Sequence, residues 1–176
     1  GFSPFSGIPM TIGGGTAMNA GVRELHFSDV VQRVLCVESG RLRILEREDC
    51  AFREKDSLFL RGIAVVGVWM RGKLSHPADI ARESCYFRAR RSRLPKGRSM
   101  GCTFVNPAGI SAGELIERCG LKGARRGGAV VSGQHANFIL NEGASGSDVA
   151  ALIEFVKEQV EKQTGIALRE EIRRIP

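Results

Sequence analysis

No apolar run in this 176-residue chain approaches the length of a membrane span, which argues against a transmembrane helix. The N-terminus shows no basic stretch followed by an apolar one, so no secretory leader is expected. No CxxC pair occurs. The five cysteines, Cys36, Cys50, Cys85, Cys102 and Cys119, are odd in number and widely spaced. That pattern argues against a disulfide framework and a structural zinc site, and fits a reducing cytosol. Three scattered histidines, His26, His76 and His135, add no metal-ligand spacing, so no metal site is expected. The glycine-rich stretch at residues 7–21, "GIPMTIGGGTAMNAG", has no GK[ST] after it and is not a Walker loop. It also fails GxGxxG, because Met18 holds the place of the third glycine.

What is present fits one or two compact domains. A hydrophobic content of 43% and a charged content of 26% are ordinary for a globular chain, and the length can bury a core without staples. Net charge is +7, which suits an anionic partner. Residues 82–98 hold Arg82, Arg88, Arg90, Arg91, Arg93, Lys96 and Arg98 against one acid, Glu83. The run reads as a solvated helix face, as a contact for a phosphate-bearing small ligand, or as a nucleic-acid surface. No zinc finger, RNP aromatic pair or zipper accompanies it, so nucleic acid is the weakest of the three. The opening "GFSPFSGIP" lacks Met and reads like the middle of a protein, so an upstream part is expected.

The first 70 residues read mostly as β. "VVQRVLCV" (30–37) and the alternating "GRLRIL" (40–45) form a hairpin, "REDCAFREKDSLFL" is irregular, and "IAVVGVWM" (63–70) is a continuous apolar strand expected to be buried. The glycine-rich segment reads as a tight turn or a ligand loop. Pro77 then starts a helix that Pro95 and Gly97 stop. Ser111 and Glu114 form a capping box for a helix ending at Gly120. Residues 147–165 give the clearest helix. Ser147 is its expected cap, Val149, Leu152, Ile153, Val156 and Val160 its apolar stripe, and Gly165 its end. "HANFILN" (135–141) and the terminal "IALREEIRRI" read as strands. A boundary near residues 72–80 divides the chain into 1–75 and 76–176.

Five stretches then fall into one order: "GIPMTIGGGTAMNAG", "CAFREKDSLF", "GCTFVNPAGISAGELIERCGLKG", "GGAVVSGQHANFILNEG" and "LREEIR". In that order the chain resembles the UDP-N-acetylenolpyruvoylglucosamine reductases, the MurB family of bacterial cell-wall synthesis. The resemblance implies an α+β fold. The second, mostly β lobe of a VAO-type FAD-binding domain (1–75) is followed by an α+β substrate domain (76–176), and the first FAD lobe is missing. It implies FAD and NADPH as cofactors and a UDP-sugar enolpyruvyl ether as substrate. It further implies a cytoplasmic monomer with neither membrane nor nucleic-acid partner.

The resemblance also assigns roles. Hydride added to the enol ether leaves negative charge at the α-carbon, which must be stabilised and then protonated. Cys102 stands at the family's proton-donor serine. A thiol, with a reference pKa of about 8.5, is a far stronger acid than an alkanol. Glu171 falls at the acid of the terminal motif that stabilises the enolate, and Arg173 at the arginine two residues on, near substrate. Lys55 aligns with the arginine that meets the substrate carboxylate, keeping charge but losing the bidentate fork. Arg53, two residues earlier, is the alternative. Asn106, Arg93, Arg90 and His135 match substrate-contacting positions. Gly7, Ile8, Pro9, Gly13, Gly14 and Asn19 match the FAD stretch, with Met10 in place of a glycine. A redox-inactive UDP-sugar-binding remnant is the alternative function.

Overall fold

The computed structural model describes residues 1–174. The fold is mixed helix and sheet, as expected, and divides into two compact units, Gly1–Arg93 and Leu94–Pro176. Each has its own apolar cluster.

The first unit begins with a short 3-10 turn, Ser3–Phe5, and helix α1, Ile12–Ala17. The glycine-rich stretch is thus helical where a turn or loop was expected. Thr11 caps it, its Oγ1 accepting from the Gly14 N–H at 3.0 Å. The glycines serve close packing: a Cβ on Gly15 would lie 2.6 Å from the Phe27 ring. Strands β1 (Gly21–Val22) and β2 (Leu25–His26) pair antiparallel, and the one-turn α2 (Phe27–Val30) follows.

A three-stranded antiparallel sheet of order β4-β3-β5 forms the rest, from β3 (Val31–Glu38), β4 (Arg41–Glu46) and β5 (Ala64–Met70). The hairpin is the expected one. Ser39 and Gly40 at its tip both have positive φ, as a two-residue turn requires. Val34, Cys36 and Leu45 face a core with Phe27, Val31, Phe59 and Ile63. The expectation of a buried β5 fails: Val66 is 58% and Trp69 40% exposed. A three-stranded sheet with one covered face leaves alternate residues of even an apolar strand outside. The Arg33 guanidinium lies 4.9 Å over the Trp69 ring there.

Helix α3, Pro77–Arg91, starts at the expected proline. It belongs to the first unit, although the boundary read from sequence put it with the second part. The physical tie is Arg91, which donates to the carbonyls of Ser6 and Pro4 at 2.6 Å each.

The second unit is a four-stranded sheet of order β6-β9-β8-β7 with two helices. Its strands are β6 (Ser99–Cys102), β7 (Arg125–Arg126), β8 (Ala129–Val131) and β9 (Phe138–Asn141). The helices are α4 (Ala112–Arg118) and α5 (Gly146–Thr164). Leu152, Ile153, Val156 and Val160 of α5 are buried against Ile116, Val131 and Ile139. Each such side chain contributes about 1.5–3 kcal/mol, so this stripe outweighs the helix's intrinsic propensity.

Two caps differ from expectation. Ser145, not Ser147, caps α5, in a reciprocal box with Asp148. Ser111 caps α4, but the Glu114 carboxylate turns to Arg118 at 2.5 Å instead of closing a box. The terminal segment is not a regular strand either. It makes one bridge, Phe104 to Glu170, and crosses the end of the sheet there.

Candidate functional site

The geometry around Cys102 is set by backbone pairing. Gly101 has φ +81°, a conformation glycine adopts without strain, and it turns the end of β6. Cys102 then sits opposite Phe138 of β9. Past Cys102 the chain is held on both sides. The Thr103 N–H donates to the Asn137 carbonyl at 2.8 Å, and the Thr103 carbonyl accepts from the Glu171 N–H at 2.8 Å. The Val105 N–H donates to the Arg169 carbonyl at 2.9 Å. Cys102 and Glu171 therefore lie on neighbouring segments, one residue out of register.

The two adjacent glutamates are separated in role. The Glu170 carboxylate takes Lys157 at 3.2 Å and Arg174 at 2.9 Å. Glu154 joins the same cluster, and the hydrogen bond from Arg174, then that from Lys157, lowers its pKa. This cluster ties the terminal segment to α5. Glu171 is half-buried on the same terminal segment.

Asn106 is exposed, and its Oδ1 accepts from the Ala112 N–H at 2.9 Å, fixing the entry to α4. His135 has one ring nitrogen and one ring face engaged within the protein. Its Nδ1 accepts from the Asn137 N–H at 3.3 Å, and its ring lies 4.9 Å from Phe138. Arg173 is exposed and lines a cleft of about 540 Å³ with Arg98, Met100, Ile139, Val149 and Ile172. Cys102, Asn106 and Glu171 do not line that cleft.

In the first unit, Lys55 sits in a turn whose flanks, Arg53 and Asp56, exchange backbone bonds at 2.9 and 3.3 Å. Its φ is +55°, unusual for a side chain other than glycine or asparagine. Asn19 steadies this turn, its Nδ2 donating to the Arg53 carbonyl and its Oδ1 accepting from the Ser28 N–H, both at 2.9 Å. Both ends of the amide are thus hydrogen-bonded within the protein, and the residue is buried. Arg90 pairs with Glu24 at 2.7 Å, and that hydrogen bond lowers the Glu24 pKa. Arg93 is exposed at the end of the unit. Gly7, Pro9 and Gly14 are exposed, while Ile8 and Gly13 are half-buried. Gly7 has φ +84° and backs onto Arg88 and Arg91 of α3.

Three of the other thiols are shifted by burial. Burial, then the nearby acids, pushes Cys50 up to about 11. Burial also raises Cys36 and Cys119. Among the described residues no three of His, Cys, Asp and Glu gather into a metal cluster. No helix there is long and apolar enough to cross a membrane.

Residues 93–175 match the model for the UDP-N-acetylenolpyruvoylglucosamine reductase C-terminal domain. The UDP-N-acetylenolpyruvoylglucosamine reductase of Paramagnetospirillum magneticum is 40% identical over 174 residues, covering 97% of this chain and 57% of that protein. The one from Rickettsia bellii is 36% identical over 179 residues, covering 99% and 59%. The crystal structure of the MurB reductase from Thermus caldophilus superposes with a TM-score of 0.87 at 33% identity, covering 98% of this chain and 63% of that one. The chain is similar to the UDP-N-acetylenolpyruvoylglucosamine reductases over nearly its whole length, and residues 93–175 match their C-terminal domain. It spans a little under two thirds of the length of these relatives.

Within the reductase family pattern, sequence reading missed one polar residue of the site, Asn137. It is 2% exposed, and its side chain holds the peptide of Phe104 from both ends. It stands in the quoted "QHANFILN" stretch, where an asparagine before a strand reads as an ordinary turn residue.

Proposed function

We propose that the chain carries the substrate half of an FAD-dependent, NADPH-driven reductase that converts UDP-N-acetylglucosamine enolpyruvate to UDP-N-acetylmuramate, as a cytoplasmic monomer. The observation that supports this reading is the backbone pairing that runs the Glu171 segment along the chain just after Cys102 within the matched domain. In the reading, Cys102 donates a proton to the α-carbon, and Glu171 acts at the enolate. Lys55 supplies the cation for the substrate carboxylate. Asn106, Arg173, Arg93, Arg90 and His135 contribute substrate contacts.

The glycine-rich segment fits the cofactor in part. Gly7, Pro9 and Gly14 are exposed, so backbone there is open to a ligand, although the Gly14 N–H is already taken by the Thr11 hydroxyl. Asn19, with its amide already committed, would act there by shaping the Arg53 to Asp56 turn. Residues 7–19 would hold part of the FAD, which when bound would supply the hydride for the enol ether.

The reading is tested with Cys102→Ala in a reconstituted reductase. NADPH should still reduce the flavin, while flavin reoxidation by the enol ether should fall by about 10²–10⁴-fold, the usual worth of a positioned general acid. Unchanged reoxidation refutes the role of Cys102. Calorimetric titration separates the alternative function: UDP-sugar bound with no flavin bound would mark a sugar-binding module without redox activity.

A further inference from the structure

We propose that Asn137 is the positioning residue that holds Cys102 and Glu171 in register. This rests on the reading of those two as proton donor and enolate partner. Asn137 presents a primary amide to a peptide group that has strand neighbours on only one side. Its Oδ1 accepts from the Phe104 N–H and its Nδ2 donates to the Phe104 carbonyl, both at 2.8 Å. Its own carbonyl accepts from the Thr103 N–H at 2.8 Å. Three hydrogen bonds from one residue thus fix the backbone of the two residues that follow Cys102. The Thr103 carbonyl, oriented by that clamp, takes the Glu171 N–H. The line of support runs from Asn137 through residues 103–104 to Glu171.

The residue type is the one this task needs. A side-chain amide offers one donor face and one acceptor face, and so mimics a missing strand. Aspartate accepts but cannot donate, and leucine does neither. The residue is buried, so each bond lost leaves an unsatisfied peptide group. Asn137 is held in turn by His135, whose Nδ1 accepts the Asn137 N–H.

The test reads the coupling between Cys102 and Glu171, not activity. The 176-residue chain is alkylated with iodoacetamide across a range of pH, and modification at Cys102 is followed by peptide mass spectrometry. Exposed Cys85 serves as the internal reference. Glu171→Gln should lower the Cys102 alkylation midpoint by about half a unit to one unit, because a nearby carboxylate disfavours the thiolate. In the Asn137→Ala background the same change should produce less than half that shift. Arg169, Glu170 and Arg173, next to Glu171 in the chain, are the same in both backgrounds, so their direct contributions cancel in the comparison.

Equal shifts in the two backgrounds overturn the proposal, and Asn137 is then a fold residue only. No shift on Glu171→Gln in the otherwise unaltered chain overturns the pairing of Cys102 with Glu171, and the proposal with it. That failure is visible without any change at Asn137. Should Asn137→Ala not fold by circular dichroism, Asn137→Asp replaces it under the same criterion. It keeps the size and the acceptor for Phe104 N–H but loses the donor to the Phe104 carbonyl.

Discussion

Two residues of one type differ in burial. Cys50 is buried with its Sγ donating to the Glu46 carbonyl at 3.2 Å, and its thiol is pushed up to about 11. It is inert packing. Cys102 is half-buried at a strand end, beside a segment fixed from two sides. Sequence singled it out because "GCTFVNP" surrounds it, and Glu171 was legible for the same reason. Asn137 was not, because its role depends on which peptide lies opposite, and that is a tertiary fact. Thr103 between them shows another such fact. Its Oγ1 is fully buried and lacks a hydrogen-bond partner. Thr103→Val keeps the shape and removes the unsatisfied hydroxyl. It is expected to raise stability by about 1 kcal/mol in urea unfolding. A loss of that size would show that the hydroxyl is bonded in solution.

The hairpin β3–β4 and the stripe of α5 followed directly from periodicity, because a period of two or 3.6 survives any tertiary setting. The terminal segment did not, because a short apolar-charged alternation forms a strand only where a neighbour offers it peptides. Here Phe104 offers one bridge. The glycine run was misread as a turn because glycine's flexibility is the first inference, whereas α1 uses its small size against Phe27. Cap placement was the other error, and it is measurable. Ser145 Oγ accepts from the Asp148 N–H, and the Asp148 carboxylate accepts from the Ser145 N–H at 2.9 Å. Ser147 lies inside the helix, and its hydroxyl shares a hydrogen bond with that of Ser145. Ser145→Ala should therefore cost about 1 kcal/mol, and Ser147→Ala a small fraction of that, by chemical denaturation. Equal losses would restore the cap to Ser147.

At the scale of the whole chain, two cores mean two reporters. The single tryptophan, Trp69, belongs to the first unit, and α5 dominates the helix signal of the second. The net charge of +7 is spread over both, yet the acids that fasten the terminal segment are gathered in the second unit around Lys157 and Arg174. The Arg174 hydrogen bond does most to lower the Glu154 pKa from its ordinary 4.5. A carboxylate lowered in the folded state binds its proton more readily when unfolded. The stability it lends is full above the ordinary value and is lost as pH falls through the folded one. These groups are about half exposed, so the contribution is modest and weakened by salt. Arg174→Gln should make the second unit less stable at neutral pH and its stability less dependent on pH below 4.5. Acid titrations followed by helix circular dichroism should show the shallower dependence, while Trp69 fluorescence stays as in the unaltered chain. Unchanged helix curves would mean that the cluster does not hold the Glu171 segment against α5. The register of Cys102 and Glu171 would then rest on the Asn137 clamp and the Phe104 bridge alone.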